Sequence, residues 1–258
     1  MSNQKVLLGT NWKMTKTLSE GRQYVKQLRE IEQQLSDQIE LFIIPSFPHL
    51  YPLKEDVQGT SINIGAQNMH WEEKGAYTGE VSPVMLKELG LDLVEIGHSE
   101  RRQYYNENDV DVNKKVVAAL RHDLKALVCI GENATDKTMN VGKEKVRQQL
   151  KIALQHVPAE DVDNVIVAYE PVWAIGENGL PADADYVAEQ HDEIRKLLVE
   201  LYGNKGVETP ILYGGSVNKR NFESYLNCQN VSGLFIGRAA WDIDSFRDIL
   251  FTVNEHHL

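Results

Sequence analysis

Eight short runs of β-branched and aliphatic residues punctuate the chain: KVLLGT, LFIIP, INIGA, LVEIG, ALVCI, NVIVAYE, PILYGG and GLFIG. Between them, the stretches 18–36, 82–89, 140–156 and 182–202 repeat apolar residues at helical spacing among good helix formers. Strands separated by helices pair in parallel, because each crossover carries the chain back to the same end of the sheet. The runs are apolar almost throughout rather than alternating, so both faces of the sheet must be covered. Eight such units predict an α/β fold, a closed (β/α)8 barrel with a parallel eight-stranded sheet. A length of 258 residues fits one such barrel, and no linker or composition break divides it, so residues 1–258 are expected to form a single domain.

Net charge is −11, which argues against a nucleic-acid partner. An anionic substrate would need a local cluster of cations against that background. No apolar run reaches membrane-span length and MSNQKVLLG lacks a signal-peptide core, so a cytoplasmic protein without a membrane partner is expected. Cys129 and Cys228 have no metal-ligand spacing and read as free thiols of a reducing compartment.

In barrels of this class the chemistry sits on the loops that follow the strands. The residues there are Asn11 and Lys13, Gln67 and Asn68, His98 and Ser99, Gly131 and Glu132, Glu170, Gly214 to Ser216, then Gly237 and Arg238. Lys13 alone would be a solvated surface lysine, but on this rim it could hold a phosphate and polarise a carbonyl oxygen. His98 stands just before a helix opened by Ser99, where the helix dipole opposes protonation and favours a neutral, hydrogen-bond-donating imidazole. Glu100 is either a solvated residue of that helix start or a partner for Lys13. Glu170 ends an apolar strand, where a carboxylate is costly unless paired or used. The stiff Pro171–Val172–Trp173 segment and the glycines Gly176 and Gly179 follow it, as a lid over a reaction requires. YGGSV at 213–217 and IGR at 236–238 put backbone N–H groups after the last two strands, the usual phosphate position of a barrel.

Together TNWKM, GAQN, GAYTGEVSP, GHSERR, CIGE, AYEPVWAIG and YGGSV occur in the order seen in triosephosphate isomerases, and the chain resembles that family over its full length. The resemblance implies Glu170 as the base that moves a proton between adjacent carbons and His98 as the neutral electrophile and proton shuttle. It implies Lys13 and Asn11 as the groups that stabilise an enediolate, with Gly176, Ser216, Gly237 and the residue after it, Arg238, gripping the phosphate. Glu100, Glu132, Trp173 and Tyr213 would support these groups. AQNMHWEEKGAYTGE, with Gln67 and Thr78, matches the family's projecting third loop, so a homodimer is implied. The substrate implied is a phosphorylated three- or four-carbon sugar, and neither a metal nor an organic cofactor is required.

Three features depart from the family pattern. Arg238 stands where a second glycine is usual, with Ala240 and Trp241 after it. The lid reads AIGENGLPA instead of AIGTGKTA. Pro181 takes the hinge position whose N–H, in the family, bonds the tyrosine matching Tyr213, and proline has no N–H. AQNMHW, IGENGLPA and GLFIGRAAW together resemble the erythrulose-phosphate isomerase branch, whose substrate carries one more hydroxymethyl group. Two roles for Arg238 stay open: a direct charge on the phosphate, or a brace to the lid through Glu177. A barrel that binds phosphosugars without turning them over would lack one of Lys13, His98 or Glu170, and all three are present.

Overall fold

The computed structural model describes residues 5–176 and 179–256. Its eight strands are β1 (Val6–Asn11), β2 (Ile39–Ile44), β3 (Asn63–Ala66), β4 (Leu93–Ile96), β5 (Lys125–Ile130), β6 (Val165–Tyr169), β7 (Ile211–Tyr213) and β8 (Gly233–Phe235). Each pairs in parallel with its neighbours in chain order, and β8 closes on β1 with Leu8 opposite Leu234, giving the expected barrel.

Side chains alternate across each strand, which divides the apolar residues into two populations. Leu7, Phe42, Ile44, Leu93, Leu127, Cys129, Ile166, Ala168, Leu212 and Phe235 fill the barrel interior. Their neighbours, among them Leu8, Ile43, Val94, Val128 and Val167, face the surrounding helices in one large core. Gly9 has to be glycine for a local reason. A Cβ there would lie 2.2 Å from the Phe42 ring, which stacks on Phe235 across the barrel at 5.6 Å.

The helix expected over 18–36 is Leu18–Glu32, opened by a capping box between Thr17 and Glu20. It stops early because the chain must turn into β2, and the Ser36 N–H is instead bound by the Asn254 side chain. The stretch 182–202 gives Ala184–Tyr202, started by the Asp183 side chain on the Asp185 N–H. A further helix, Asp109–Arg121, is capped by Asn108 on two backbone N–H groups. Its β-branched first turn hid it from propensity, but packing of Val112, Val116 and Ala119 into the core outweighs that. No helix among the described residues is long and apolar enough to cross a membrane.

His191 is fully buried on Ala184–Tyr202 between the rings of Tyr169 and Tyr213. Its Nδ1 lies 3.2 Å from the Asn230 carbonyl, while Nε2 has no partner among the described residues. Burial pushes the ring down to about 4. The unfolded chain therefore binds a proton near pH 6.5 that the folded chain refuses until about pH 4, and stability falls as pH drops through that window. The His191 contribution to this loss is about 3 kcal/mol. Urea unfolding at pH 7 and pH 4.5 should show His191→Gln losing clearly less stability on acidification than the parent. Equal losses would refute the assignment.

Candidate active site

A cavity of about 430 Å³ opens at the C-terminal end of the barrel, lined by Asn11, Lys13, His98, Glu170, Gly176, Ser216, Gly237 and Arg238 among others. Sequence positions separated by more than two hundred residues converge here because every strand delivers its last residue to the same rim.

Lys13 sits just beyond β1 with φ at 53°, in the left-handed region that a lysine adopts only when held there. Its N–H donates to Asn11 Oδ1 at 2.6 Å, and its carbonyl accepts from Ser46 Oγ and from Gln67 Nε2, both at 2.8 Å. Gln67, expected on the dimer loop, thus acts within its own chain as a clamp on Lys13. Lys13 Nζ pairs with Glu100 Oε1 at 2.6 Å, which resolves the two readings of Glu100 in favour of the ion pair. Asn11 is 7 % exposed and is fixed at both ends. Its Nδ2 donates to Glu95 Oε2 at 2.6 Å, and its carbonyl accepts from Trp241 Nε1 at 2.8 Å.

His98 is the cap of helix Ser99–Tyr105, and its Nδ1 accepts the Glu100 N–H at 3.1 Å. A nitrogen that accepts a backbone N–H carries no hydrogen, so that bond places the ring proton on Nε2. Nε2 points into the cavity, 3.8 Å from Glu170 Oε2. Glu170 is 5 % exposed, and its Oε2 receives no hydrogen bond from any described residue. A buried carboxylate oxygen left without a donor costs stability, so its persistence points to use. Two glycines make room for it: a Cβ on Gly131 would meet the Glu170 carbonyl at 1.9 Å, and one on Gly214 the Glu170 Cγ at 2.8 Å.

Glu132 lies behind this edge, fully buried. It accepts from the Tyr169 and Tyr186 hydroxyls and from Trp173 Nε1, anchoring the start of the lid. Opposite, the N–H groups of Gly215, Ser216 and Gly237 donate to no described residue. They and the unobstructed Cβ direction of Gly237 form an open cradle of the kind that binds phosphate. Arg238 is exposed, and its Nη2 donates to the Gly176 carbonyl at 2.8 Å. That bond ties it to the backbone of the segment after Glu170, and Arg238 also lines the cavity; Glu177, the lid partner expected from sequence, lies outside the described residues. The Tyr213 hydroxyl is buried and has no hydrogen-bond partner among the described residues. The far end of the lid is held instead by Tyr225, whose hydroxyl donates to the Ala182 carbonyl at 2.8 Å.

Sequence reading missed Glu95, which is fully buried at the third position of β4. A charge inside the apolar run LVEIG was the available signal. Burial, the largest influence, pushes its carboxyl up to about 7; Glu170 adds to the rise, while His98, Asn11 and Lys13 oppose it. Thr78 falls within the exposed run 72–80, away from the cavity.

The family model for triosephosphate isomerase matches residues 6–253. Among similar proteins, an L-erythrulose-1-phosphate isomerase of Brucella abortus biovar 1 (strain 9-941) is 44% identical over 247 residues, covering 95% of each chain. Proteins of the same name from Rhizobium etli and Rhizobium meliloti are each 43% identical, over 96% and 97% of this chain and 92% and 97% of their own. With the barrel, the rim residues and this similarity in agreement, the chain belongs to the triosephosphate isomerase family.

Proposed function

We propose that the protein isomerises a four-carbon ketose phosphate, erythrulose 1-phosphate, by proton transfer between adjacent carbons. The observation that carries the chemistry is the undonated Glu170 Oε2, buried in the cavity and facing the Nε2 hydrogen of His98. Glu170 removes the proton from the carbon next to the carbonyl. The C–H electron pair forms the carbon–carbon double bond, and the carbonyl electrons move onto oxygen. His98 Nε2–H, the free N–H of Asn11 and the Lys13 ammonium stabilise that oxygen as the enediolate forms, and such preorganised donors contribute the largest share of catalysis. His98 gives its Nε2 hydrogen to that oxygen and takes the proton of the hydroxyl on the adjacent carbon, whose O–H electrons form the new carbonyl as Glu170 returns its proton to the former carbonyl carbon. With a four-carbon substrate the product is again a ketose, its carbonyl one carbon further from the phosphate.

The cradle formed by Gly215, Ser216 and Gly237 takes the phosphate. Arg238 on Gly176 and Tyr225 on Ala182 hold the two ends of the lid, which compensates for Pro181 at the hinge. The preference for the four-carbon sugar is supported by the likeness to the L-erythrulose-1-phosphate isomerases and by the altered loops at the cavity. In this reading the protein is cytoplasmic and acts as a homodimer; the exposed run 72–80 and Met14, 94% exposed beside Lys13, support the dimer.

The test is kcat/KM for erythrulose 1-phosphate and for glyceraldehyde 3-phosphate on one preparation. At least a ten-fold preference for the four-carbon sugar is expected. Faster turnover of the triose would overturn the substrate assignment, and turnover of neither would overturn the chemistry.

A further inference from the structure

Glu95 has no part in the mechanism above, yet it lies directly beneath the groups that do. Its side chain points into the barrel, as that of Leu93 does two residues earlier, and it does not line the cavity. One oxygen or ring nitrogen from each of Glu95, His98 and Glu170 lies within 4.8 Å of the others. Glu95 Oε2 accepts one Asn11 Nδ2 hydrogen, and Cys129 Sγ lies 3.6 Å from Glu95 Oε1. The Asn11 amide has two N–H bonds to offer. With one tied down to Glu95, and Oδ1 holding the Lys13 N–H, the other has no acceptor among the described residues and belongs to a side chain that lines the cavity.

The charge state of Glu95 therefore matters to the atoms above it. Two buried carboxylates this close do not both ionise cheaply. The nearby cation, Lys13, is already paired with Glu100. A phosphate dianion and a developing enediolate add negative charge to the same end of the barrel. An ionised Glu95 would also draw the Asn11 amide towards itself and leave its second N–H a weaker donor.

We propose that Glu95 is a positioning residue that works in its protonated form, orienting the Asn11 amide toward the substrate oxygen while keeping the floor of the site neutral. The protonated acid accepts from Asn11 on Oε2 and donates its hydrogen to Cys129 Sγ. The ionised form accepts from both, with Cys129 supplying its S–H. The thiol stays protonated in either case, because burial and the two neighbouring carboxylates hold its pKa high. The groups facing Glu95 are Asn11 from β1, Lys13 just beyond it, His98 after β4, Cys129 on β5 and Glu170 after β6. Substrate anions favour the protonated form further, so binding draws a proton onto Glu95.

This inference rests on the isomerase reading, and kinetics against pH separate the two. In the parent protein kcat/KM should fall ten-fold or more between pH 7 and pH 9, since that ratio reports groups of the free enzyme. Glu95→Gln copies the protonated acid, accepting from Asn11 and donating to Cys129. It should hold kcat/KM nearly flat over that range, exceeding the parent at pH 9. Glu95→Ala, which releases the Asn11 amide, should lower kcat at every pH with a smaller change in KM. A Gln variant that keeps the parent's alkaline decline, or that loses kcat at all pH values, would overturn the proposal. So would a parent profile flat from pH 6 to 9, which needs no variant. Failure of the isomerase reading would appear differently, as no turnover of either sugar phosphate by the parent.

Discussion

Replacing Glu170 with glutamine is expected to lower kcat by about 10²–10⁴-fold, the range that a positioned base contributes, with KM changed little. The reason is specific to the site. Glutamine fills the same volume between Gly131 and Gly214 and can accept from His98 Nε2–H, but it cannot take a proton. Because Glu170 Oε2 has no donor to lose, the substitution strands no partner. Stability should therefore hold or rise slightly, since an unpaired buried charge is removed. Urea unfolding measured beside kcat separates loss of the base from loss of the fold. Turnover within a few-fold of the parent would end the assignment of Glu170, and Glu170→Asp, one methylene shorter, should fall between the two.

The second large effect is expected from a residue with no side chain. Gly131→Ala would place a methyl 1.9 Å from the Glu170 carbonyl oxygen and 2.6 Å from its carbon. Neither atom can move alone. The Glu170 N–H is bonded to Ile130, the Val172 N–H to Glu132 and the Gly214 N–H to the Tyr169 carbonyl. The added carbon must push the ends of β5 and β6 apart, an overpacking that costs about 1–3 kcal/mol. A shift of about 1 Å in the base costs about 10²-fold in rate. Activity should therefore fall even in the fraction that folds. Gly237→Ala is the control, because a Cβ there meets nothing within 4 Å, and its unfolding midpoint should match the parent. If Gly131→Ala unfolds at the parent's urea concentration and keeps its rate, the close approach is not a constraint.

The strands were legible because each apolar run is bounded by polar or glycine residues, and the rim residues were legible because they come directly after those runs. Glu170, His98 and Lys13 stand out in the sequence for that reason. What holds them could not be read, since it arrives across the barrel. Ser46 and Gln67 clamp the Lys13 carbonyl from the ends of β2 and β3, and no local spacing encodes that. Gln67 matched a projecting loop, but its position at the end of β3, next to the loop after β1, gives it an inward partner. Glu95 escaped notice because one charge does not break the strand pattern of LVEIG. The alternation that puts it beside Leu93 in the barrel interior becomes visible only once the barrel closes. For Arg238 the sequence leaves phosphate and lid both open, and the Gly176 carbonyl is a contact that side-chain chemistry alone could not suggest.

The seam between β1 and β8 has a consequence for when the protein can act. Asn11 and Lys13 leave the ribosome early, but Trp241, whose indole holds the Asn11 carbonyl, follows 230 residues later. Tyr24 and Lys16 likewise wait for the carbonyls of Ala240 and Trp241. Synthesis proceeds from the N-terminus, so a nascent chain carries its reacting groups through most of translation without the geometry to use them. Turnover begins only when the last strand has been made and the ring is shut.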